Sequence, residues 1–377
     1  MMRYFFVRPV DVVMLRGNKL FGEAGSYGDV VVPPWPSVFA GAFRSYLWNT
    51  LSANKRRQII GDPRIWGTFR LRWLSVGRIH GTELDSMLVP LPSDVVVLME
   101  EGKAVGILKP KTIDRGSITS SSVLPMHMVA STSAPGKTTN QGLISSAGVK
   151  KWQESRRGIE VSQVGQIFMS DTRLGIGMNV DSRTASEGAL YTSDSVTMRE
   201  GYGFLVGICG EEGFLPKKGL LRLGGDGRGA EFLEVKAKEQ VDLATRPSEL
   251  LRNSDRLKIA AVTPLIFEDG WIPDGVRQQD NDYVLELEGF SARLVSVALK
   301  RYETISGWDM ANRRPKLARR AVPPGSVYFF DRCEGNKETF YKWCRGGMRD
   351  MRRNEGLRST EIEGFNTVVV GLWRDKE

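Results

Sequence analysis

The chain has 377 residues, 41% of them hydrophobic and 26% charged, with a formal net charge of +9. That length exceeds one small core and favours two domains, while the basic excess favours an acidic partner, nucleic acid foremost. No apolar run reaches the ~18 residues of a membrane span, and the first residues lack a signal-peptide layout. A cytoplasmic protein with no membrane partner is expected.

In chain order, Tyr4–Leu15 is apolar and β-branched and predicts a strand, with Pro9 marking an edge or a bulge. After a glycine-rich loop, Pro33-Pro34-Trp35-Pro36-Ser37 opens a helix on which Phe39, Ala42, Phe43, Tyr46 and Leu47 share one buried face. Residues 94–98 and 104–108 predict a hairpin across Glu101-Gly102-Lys103. From about 110 to 165 the composition turns to Ser, Thr, Gly and Lys, which predicts a long insertion or mobile arm.

Further on, 189–198 and 202–209 predict two strands paired across Arg199-Glu200-Gly201. The second half offers strands from Leu257 and over 294–299, a helix over Asn336–Met351 and a closing strand over Asn366–Trp373. Its outline of strand, helix and closing strand repeats that of the first half.

Catalytic patterns are missing. His80 and His127 are the only histidines, and Cys209, Cys333 and Cys344 have no CxxC spacing, so neither a metal site nor a disulfide framework is indicated. Ser131–Thr138 ends like a phosphate-binding loop but lacks the first glycine and a helix behind it. Gly224-Gly225-Asp226-Gly227 has one carboxylate where two-metal chemistry needs two. Gly225–Ala230 nearly matches a dinucleotide fingerprint, but a strand pattern follows it instead of a helix. The expectation is a protein that is not an enzyme, with no cofactor and no metal.

Binding patterns are present. Lys55–Arg78 holds seven cations against Asp62, interleaved with Trp66, Phe69 and Trp73, which suits either single-stranded nucleic acid or a core strand with a solvated face. The loop Gly224–Gly229, flanked by Arg222 and Arg228, offers unobstructed backbone N–H groups beside two guanidiniums and could grip phosphate oxygens. Arg173 and Arg183 stand around a short turn in RLGIGMNVDSRTASEG. Trp308 precedes Arg313, Arg314, Lys316, Arg319 and Arg320, an acid-free cluster that is either a solvated loop or a polyanion site. Arg345, Arg349, Arg352, Arg353 and Arg358 add a basic face along and beyond the last helix.

Six segments together carry a family resemblance: RPVDVVMLRG, PPWPSVFAGAFRSYL, RLGIGMNVDSRTASEGALYT, LRLGGDGRGAEF, TPLIFEDGWIPD and SGWD…PK…AVPPGSVYFF. In this order they resemble the RAMP superfamily, and within it the third subunit of the Cmr (type III-B) CRISPR effector complex. The resemblance implies an α+β chain of two tandem ferredoxin-like (RRM-like) domains with insertions and a glycine-rich loop. The first would span 1–250, with the long insertion at about 110–165, and the second 255–377.

It also implies a non-catalytic, RNA-binding scaffold in antiviral defence. Such a subunit holds the 5′ tag of the CRISPR RNA and links the Palm-domain large subunit to a backbone RAMP subunit. Gly224, Gly225, Gly227 and Gly229 correspond to the family's glycine-rich loop. Arg173 and Arg183 fall in its hairpin segment, Arg16 and Lys19 in the loop after the first strand, and Arg44 on the helix that follows. With Arg222 and Arg228 these are the expected RNA contacts. Trp308, Arg313, Arg314, Lys316, Arg319 and Arg320 are expected to meet RNA or a partner subunit. The alternatives are a RAMP endoribonuclease that processes precursor CRISPR RNA and a purely protein-bridging subunit.

Overall fold

A computed structural model describes residues 1–15, 27–28, 33–62, 65–98, 104–112, 122–129, 138–139, 141–179, 181–225, 227–309, 312–350 and 359–374. It is a mixed α and β structure whose sheets are built almost wholly of antiparallel pairs. Two compact units interleave along the chain. One takes Met1–Asp85, Gly165–Val235 and Thr304–Arg319, the other Ser86–Val164, Lys236–Glu303 and Arg320–Glu377.

In the first unit the strand Arg3–Pro9 lies between Tyr202–Cys209 and Arg228–Glu234, antiparallel to both, with Phe5 opposite Val206 and Glu234. Arg70–His80 pairs with the far edge of Tyr202–Cys209, and Lys218–Leu223 with that of Arg228–Glu234. The first strand is shorter than its apolar pattern suggests. Proline has no N–H to continue a ladder, so the strand ends at Pro9, and the chain continues through single bridges at Val13 and Met14.

The helix Pro36–Thr50 starts on Pro36, whose fixed φ suits a first turn. It buries Phe39, Ala42, Phe43 and Leu47, while Tyr46 stays half-exposed. Phe43 meets Phe5 at 5.6 Å and Phe232 at 5.5 Å, and Phe39 meets Phe204 at 4.9 Å. Each such ring contributes about 1.5–3 kcal/mol through burial. This aromatic layer fixes the sheet under the helix.

The expected pairing of 189–198 with 202–209 does not form. Ala185–Met198 instead pairs with Phe168–Met178, and Tyr202–Cys209 enters the middle of the main sheet. The difference lies in burial. Phe204, Leu205, Val206 and Ile208 are buried on both faces of their strand, whereas Phe168–Met178 is exposed along most of its length. A strand apolar on both faces goes to the centre of a sheet, and the long hairpin stays outside it.

The second unit has a sheet in the order Val276–Gln279, Asp282–Leu287, Phe290–Ala298, Val327–Gly335, Leu257–Ala261, Val368–Leu372. The helix Lys337–Arg345 is capped by Asn336, whose side chain accepts from the Glu338 N–H at 3.0 Å. It buries Phe340, Tyr341, Trp343 and Cys344. In the Pro323-Pro324-Gly325 turn, Gly325 has φ +85, and a Cβ there would sit 2.4 Å from the Leu91 carbonyl oxygen. Val327, Tyr328, Phe329 and Phe330 after it are wholly buried. That part of the family signature is core.

The stretch expected to be a long insertion or mobile arm contains Leu143–Ser145, paired with Leu88–Pro90, and the helix Ser146–Gln153, capped by Ser145. Trp152 from this helix is fully buried and donates to Asp94 at 2.7 Å. Asp94 also accepts from Lys258 at 2.8 Å, and the Lys258 ammonium lies 4.3 Å from the Trp152 ring centre. Burial pushes the Lys258 pKa down. Sealed from solvent, this pair serves packing.

Candidate nucleic-acid interface

The glycine loop is the turn of the Lys218–Leu223/Arg228–Glu234 hairpin, with Arg222 opposite Gly229 and Leu223 opposite Arg228. Gly224 and Gly227 have φ +72 and +57, a region that L side chains rarely adopt. At Gly224 space is lacking as well, since a Cβ would stand 2.5 Å from the Met14 carbonyl oxygen. That oxygen accepts from the Gly225 N–H at 2.9 Å, and Val10 N–H donates to the Gly229 carbonyl at 3.0 Å. Arg222 is exposed and Arg228 half-buried, and neither has an acid partner among the described residues. The Arg228 Nε is buried without a hydrogen-bond acceptor.

The segment Val10–Leu15 stitches this turn to the long hairpin of Phe168–Met178 and Ala185–Met198. Val13 exchanges backbone bonds of 2.8 and 2.9 Å with Val196, next to the Met14 bridge to Gly225. The glycine turn, the start of the following loop and the base of the long hairpin thus come together. Arg16 and Lys19, expected to contribute from that loop, lie outside the described residues.

Arg173 and Arg183 do not come together. Arg173 sits within its strand opposite Ser193 and donates to Asp171 at 2.7 and 2.9 Å. Arg183 stands in the tip turn with φ +54, exposed, five residues beyond Met178, and has no acid partner among the described residues. The Asn179 side chain rigidifies this turn by accepting from the N–H groups of Asp181 and Ser182. Arg44 lies on the first helix with its guanidinium 5.6 Å from the Trp66 ring centre.

The cationic segment forms a small two-stranded turn, Trp308 opposite Pro315 and Asp309 opposite Arg314. Asn312 donates to Asp309 at 2.8 and 3.1 Å, Lys316 N–H donates to the Gly307 carbonyl, and Arg313 occupies the turn with φ +49. Arg313, Arg314 and Arg319 are exposed, with no acid partner among the described residues. Trp308 is exposed too, and Lys316 is half-buried. Arg320, which belongs to the second unit, lies over the Tyr302 ring at 5.0 Å.

Of the interleaved aromatics, Phe69 and Trp73 are core, and Trp73 Nε1 donates to Ser75 at 2.9 Å. Trp66 alone of the three is exposed. Among the late arginines, Arg345 pairs with Glu338 and Arg349 with Glu361, while 352, 353 and 358 lie outside the described residues. Cys333 and Cys344 are buried, and desolvation pushes the Cys333 thiol up to about 12. Among the described residues no group of three His, Cys, Asp or Glu could hold a metal ion, and no helix is long and apolar enough to cross a membrane.

A protein-family model described as CRISPR-associated protein (Cas_Cmr3) matches residues 5–373. The chain belongs to this family. It is a Cmr complex subunit, as the six sequence segments had indicated.

No curated protein matches the chain. Among solved structures it resembles a chain of the type III-B Cmr-beta bound to cognate target RNA and AMPPnP, at 14% identity and a TM-score of 0.47, covering 87% of this chain and 86% of that one. It also resembles a chain of the Csm3-Csm4 subcomplex in the type III-A CRISPR-Cas interference complex, at 11% identity and a TM-score of 0.36, covering 89% and 94%. The family assignment rests on the sequence match.

Proposed function

We propose that this Cas_Cmr3-family chain is a non-catalytic scaffold that holds the 5′ tag of the CRISPR RNA and links the Palm-domain large subunit to a backbone RAMP subunit. In this proposal its two halves are ferredoxin-like domains in tandem, and it works in the cytoplasm. The observation that carries the RNA assignment is the glycine turn. Arg222 and Arg228 flank backbone that only glycine can supply, and neither has an acid partner among the described residues. Such a turn takes phosphate oxygens by N–H groups and guanidiniums and reads no sequence.

The exposed Arg222 and half-buried Arg228 offer guanidinium N–H groups that phosphate oxygens can take. Arg183 at the rigid hairpin tip extends the cationic track, and Arg16 and Lys19 follow directly from the segment bound to the turn. Arg313, Arg314 and Arg319 form a second track for RNA or for an acidic subunit. Arg44 and Arg173 are already engaged, by a ring and a carboxylate, and contribute less.

Crosslinking in the assembled complex tests this assignment. CRISPR RNA with photoreactive nucleotides in the 5′ tag should give adducts with this chain, and Arg222→Ala with Arg228→Ala should remove most of them. Gly224→Asp is a poorer probe, because the Met14 carbonyl leaves no room for its Cβ. Tag adducts on other subunits alone would refute RNA holding by this chain, and specific cleavage of repeat RNA by the purified chain would refute the non-catalytic role.

A further inference from the structure

We propose that Trp48, Ile65, Trp66 and Phe214 form a docking surface for an apolar, carboxylate-bearing face of a neighbouring protein subunit. Ile65 is 70% exposed, Trp48 50%, and Trp66 and Phe214 38% each. They are linked by cations laid on their rings. Arg44 covers Trp66 at 5.6 Å, Trp48 follows Arg44 by one helical turn on the same face, Arg56 covers Trp48 at 5.2 Å, and Lys55 covers Phe214 at 5.3 Å. Trp66, Arg44, Trp48 and Arg56 form one run of rings and half-buried cations, and the Lys55–Phe214 pair stands one helix residue from Arg56.

Backbone contacts pin Ile65 and Trp66 against Gly61 and Asp62, with Gly61 bridged to Trp66. Gly61 has φ +91, and a Cβ on it would stand 2.2 Å from the Ile65 carbonyl oxygen. Asp62 N–H donates to that same carbonyl at 2.8 Å, and the Asp62 carboxylate accepts from Ile65 N–H at 2.9 Å. Two large apolar side chains are therefore held outward by fixed backbone. Exposed aromatic and aliphatic groups gathered this way mark a binding surface, and Trp and Arg are the residues that dominate protein interfaces.

Charge decides the kind of partner. The helices Pro36–Thr50 and Ala53–Ile59 carry Arg44, Lys55, Arg56 and Arg57 and no acid. Two of these cations are already neutralised, Lys55 by Glu212 at 3.9 Å and Arg57 by Asp62 at 3.8 Å. A phosphate groove keeps its cations free, as the glycine turn does, and gains nothing from an isoleucine. Arg56, half-buried over Trp48, has no carboxylate partner among the described residues, and a partner carboxylate would supply one at its outer guanidinium nitrogens. The surface fits protein better than RNA.

This proposal rests on the linking role above and is independent of the RNA contacts. Oxidative footprinting of the assembled complex, before and after nuclease digestion of its RNA, tests it. Trp48 and Trp66 should be at least fivefold less oxidised in the complex than in the free chain, and should stay protected after digestion. Ile65→Asp, at an exposed position, should compete at least tenfold less well than wild type for assembly with the other subunits while keeping its tag crosslinks. Rings that remain accessible in a complex containing the chain would overturn the docking surface and leave the linking role standing. Protection lost with the RNA, or Ile65→Asp assembling as wild type, would also overturn it. Release of the whole chain on digestion would refute the linking role itself.

Discussion

Lys55–Arg78 and Trp308–Arg320 are both cation-rich and aromatic in sequence, yet the fold uses most of their arginines in opposite ways. In the first, Lys55 and Arg57 meet Glu212 and Asp62, Arg56 lies on Trp48, Arg70 donates to the Gly67 and Phe69 carbonyls, and Arg78 faces Asp85 and Tyr202. In the second, Arg313, Arg314 and Arg319 point into solvent with no acid among the described residues. A compensated cation packs or steers, while an uncompensated one repels its neighbours until a polyanion or an acidic surface arrives. Density of charge along the chain does not separate the two. Local partners do.

The sharpest way to break the comparison is through the two tryptophans of the first stretch. Trp73→Ala should cost ~3–5 kcal/mol in denaturant unfolding, because the ring is wholly packed. Trp66→Ala should cost no more than about 1 kcal/mol, the worth of one exposed cation–π contact. Equal losses would mean that Trp66 is structural and that the exposed ladder is only a brace.

In the second stretch, replacing Arg313, Arg314 and Arg319 by Ala should weaken binding of the complex to its CRISPR RNA, or of the chain to an acidic subunit, by at least about tenfold. Thermal stability should hold, since none of the three has an acid partner among the described residues to lose. If RNA is the ligand, the slope of log affinity against log salt should flatten by about 0.7 for each phosphate contact removed. Arg57→Ala, a neutralised surface cation, should leave affinity within about threefold. Equal effects from both stretches would erase the distinction.

Arg3 shows compensation at its strongest, donating to Glu234 at two atoms, each 2.8 Å, to Glu211 at 3.0 Å and to the Leu215 carbonyl at 2.8 Å. The guanidinium holds the Glu234 carboxyl below the usual carboxylate range, chiefly by hydrogen bonding. Its stabilisation is complete above the unfolded carboxylate value near ~4.3 and is lost as pH falls through the lower folded value. Arg3→Ala should cost about 3 kcal/mol near neutrality, because it leaves the buried Glu211 carboxylate without its cation, and the gap to wild type should narrow as acid protonates Glu234. A gap independent of pH would assign Arg3 to packing.

Sequence made much of this legible. The spacing of Phe39, Ala42, Phe43 and Leu47 gave the first helix, and the apolar runs at Leu257 and Val368 gave strands because a short continuous apolar run marks a buried strand whichever strand it pairs with. The glycines at 224 and 227 were readable as a turn, since only a turn needs them. What stayed hidden depends on pairing. The partner of Ala185–Met198 was obscured because the short 199–201 turn favours one neighbour, while double-faced burial of Tyr202–Cys209 enforces another. The helix Ser146–Gln153 hid within Ser and Gly because Val149 and Trp152 are the only apolar side chains larger than alanine that it buries, beside Ser146, Gly148 and Gln153. Trp66 and Trp73 differ in fate through flanking glycines at 61 and 67, a signal visible in sequence but decisive only once the loop closes.

The smallest effect tests whether compensation can be undone. Arg173 is expected at the RNA yet donates to Asp171 through two nitrogens, on an exposed strand next to the stitched base of the hairpin. Asp171→Asn keeps the side-chain volume and removes the negative charge, so Arg173 becomes free like Arg183. Affinity for the 5′ tag should then rise about threefold, and its salt dependence should steepen by up to about 0.7 as one more phosphate is neutralised. The change costs one exposed pair, worth about 0–1 kcal/mol, so folding should survive it. A fall in affinity would mean that Asp171 orients Arg173 toward its ligand. No change would place Arg173 away from the RNA, and the cationic track would then run from the glycine turn to Arg183 without it.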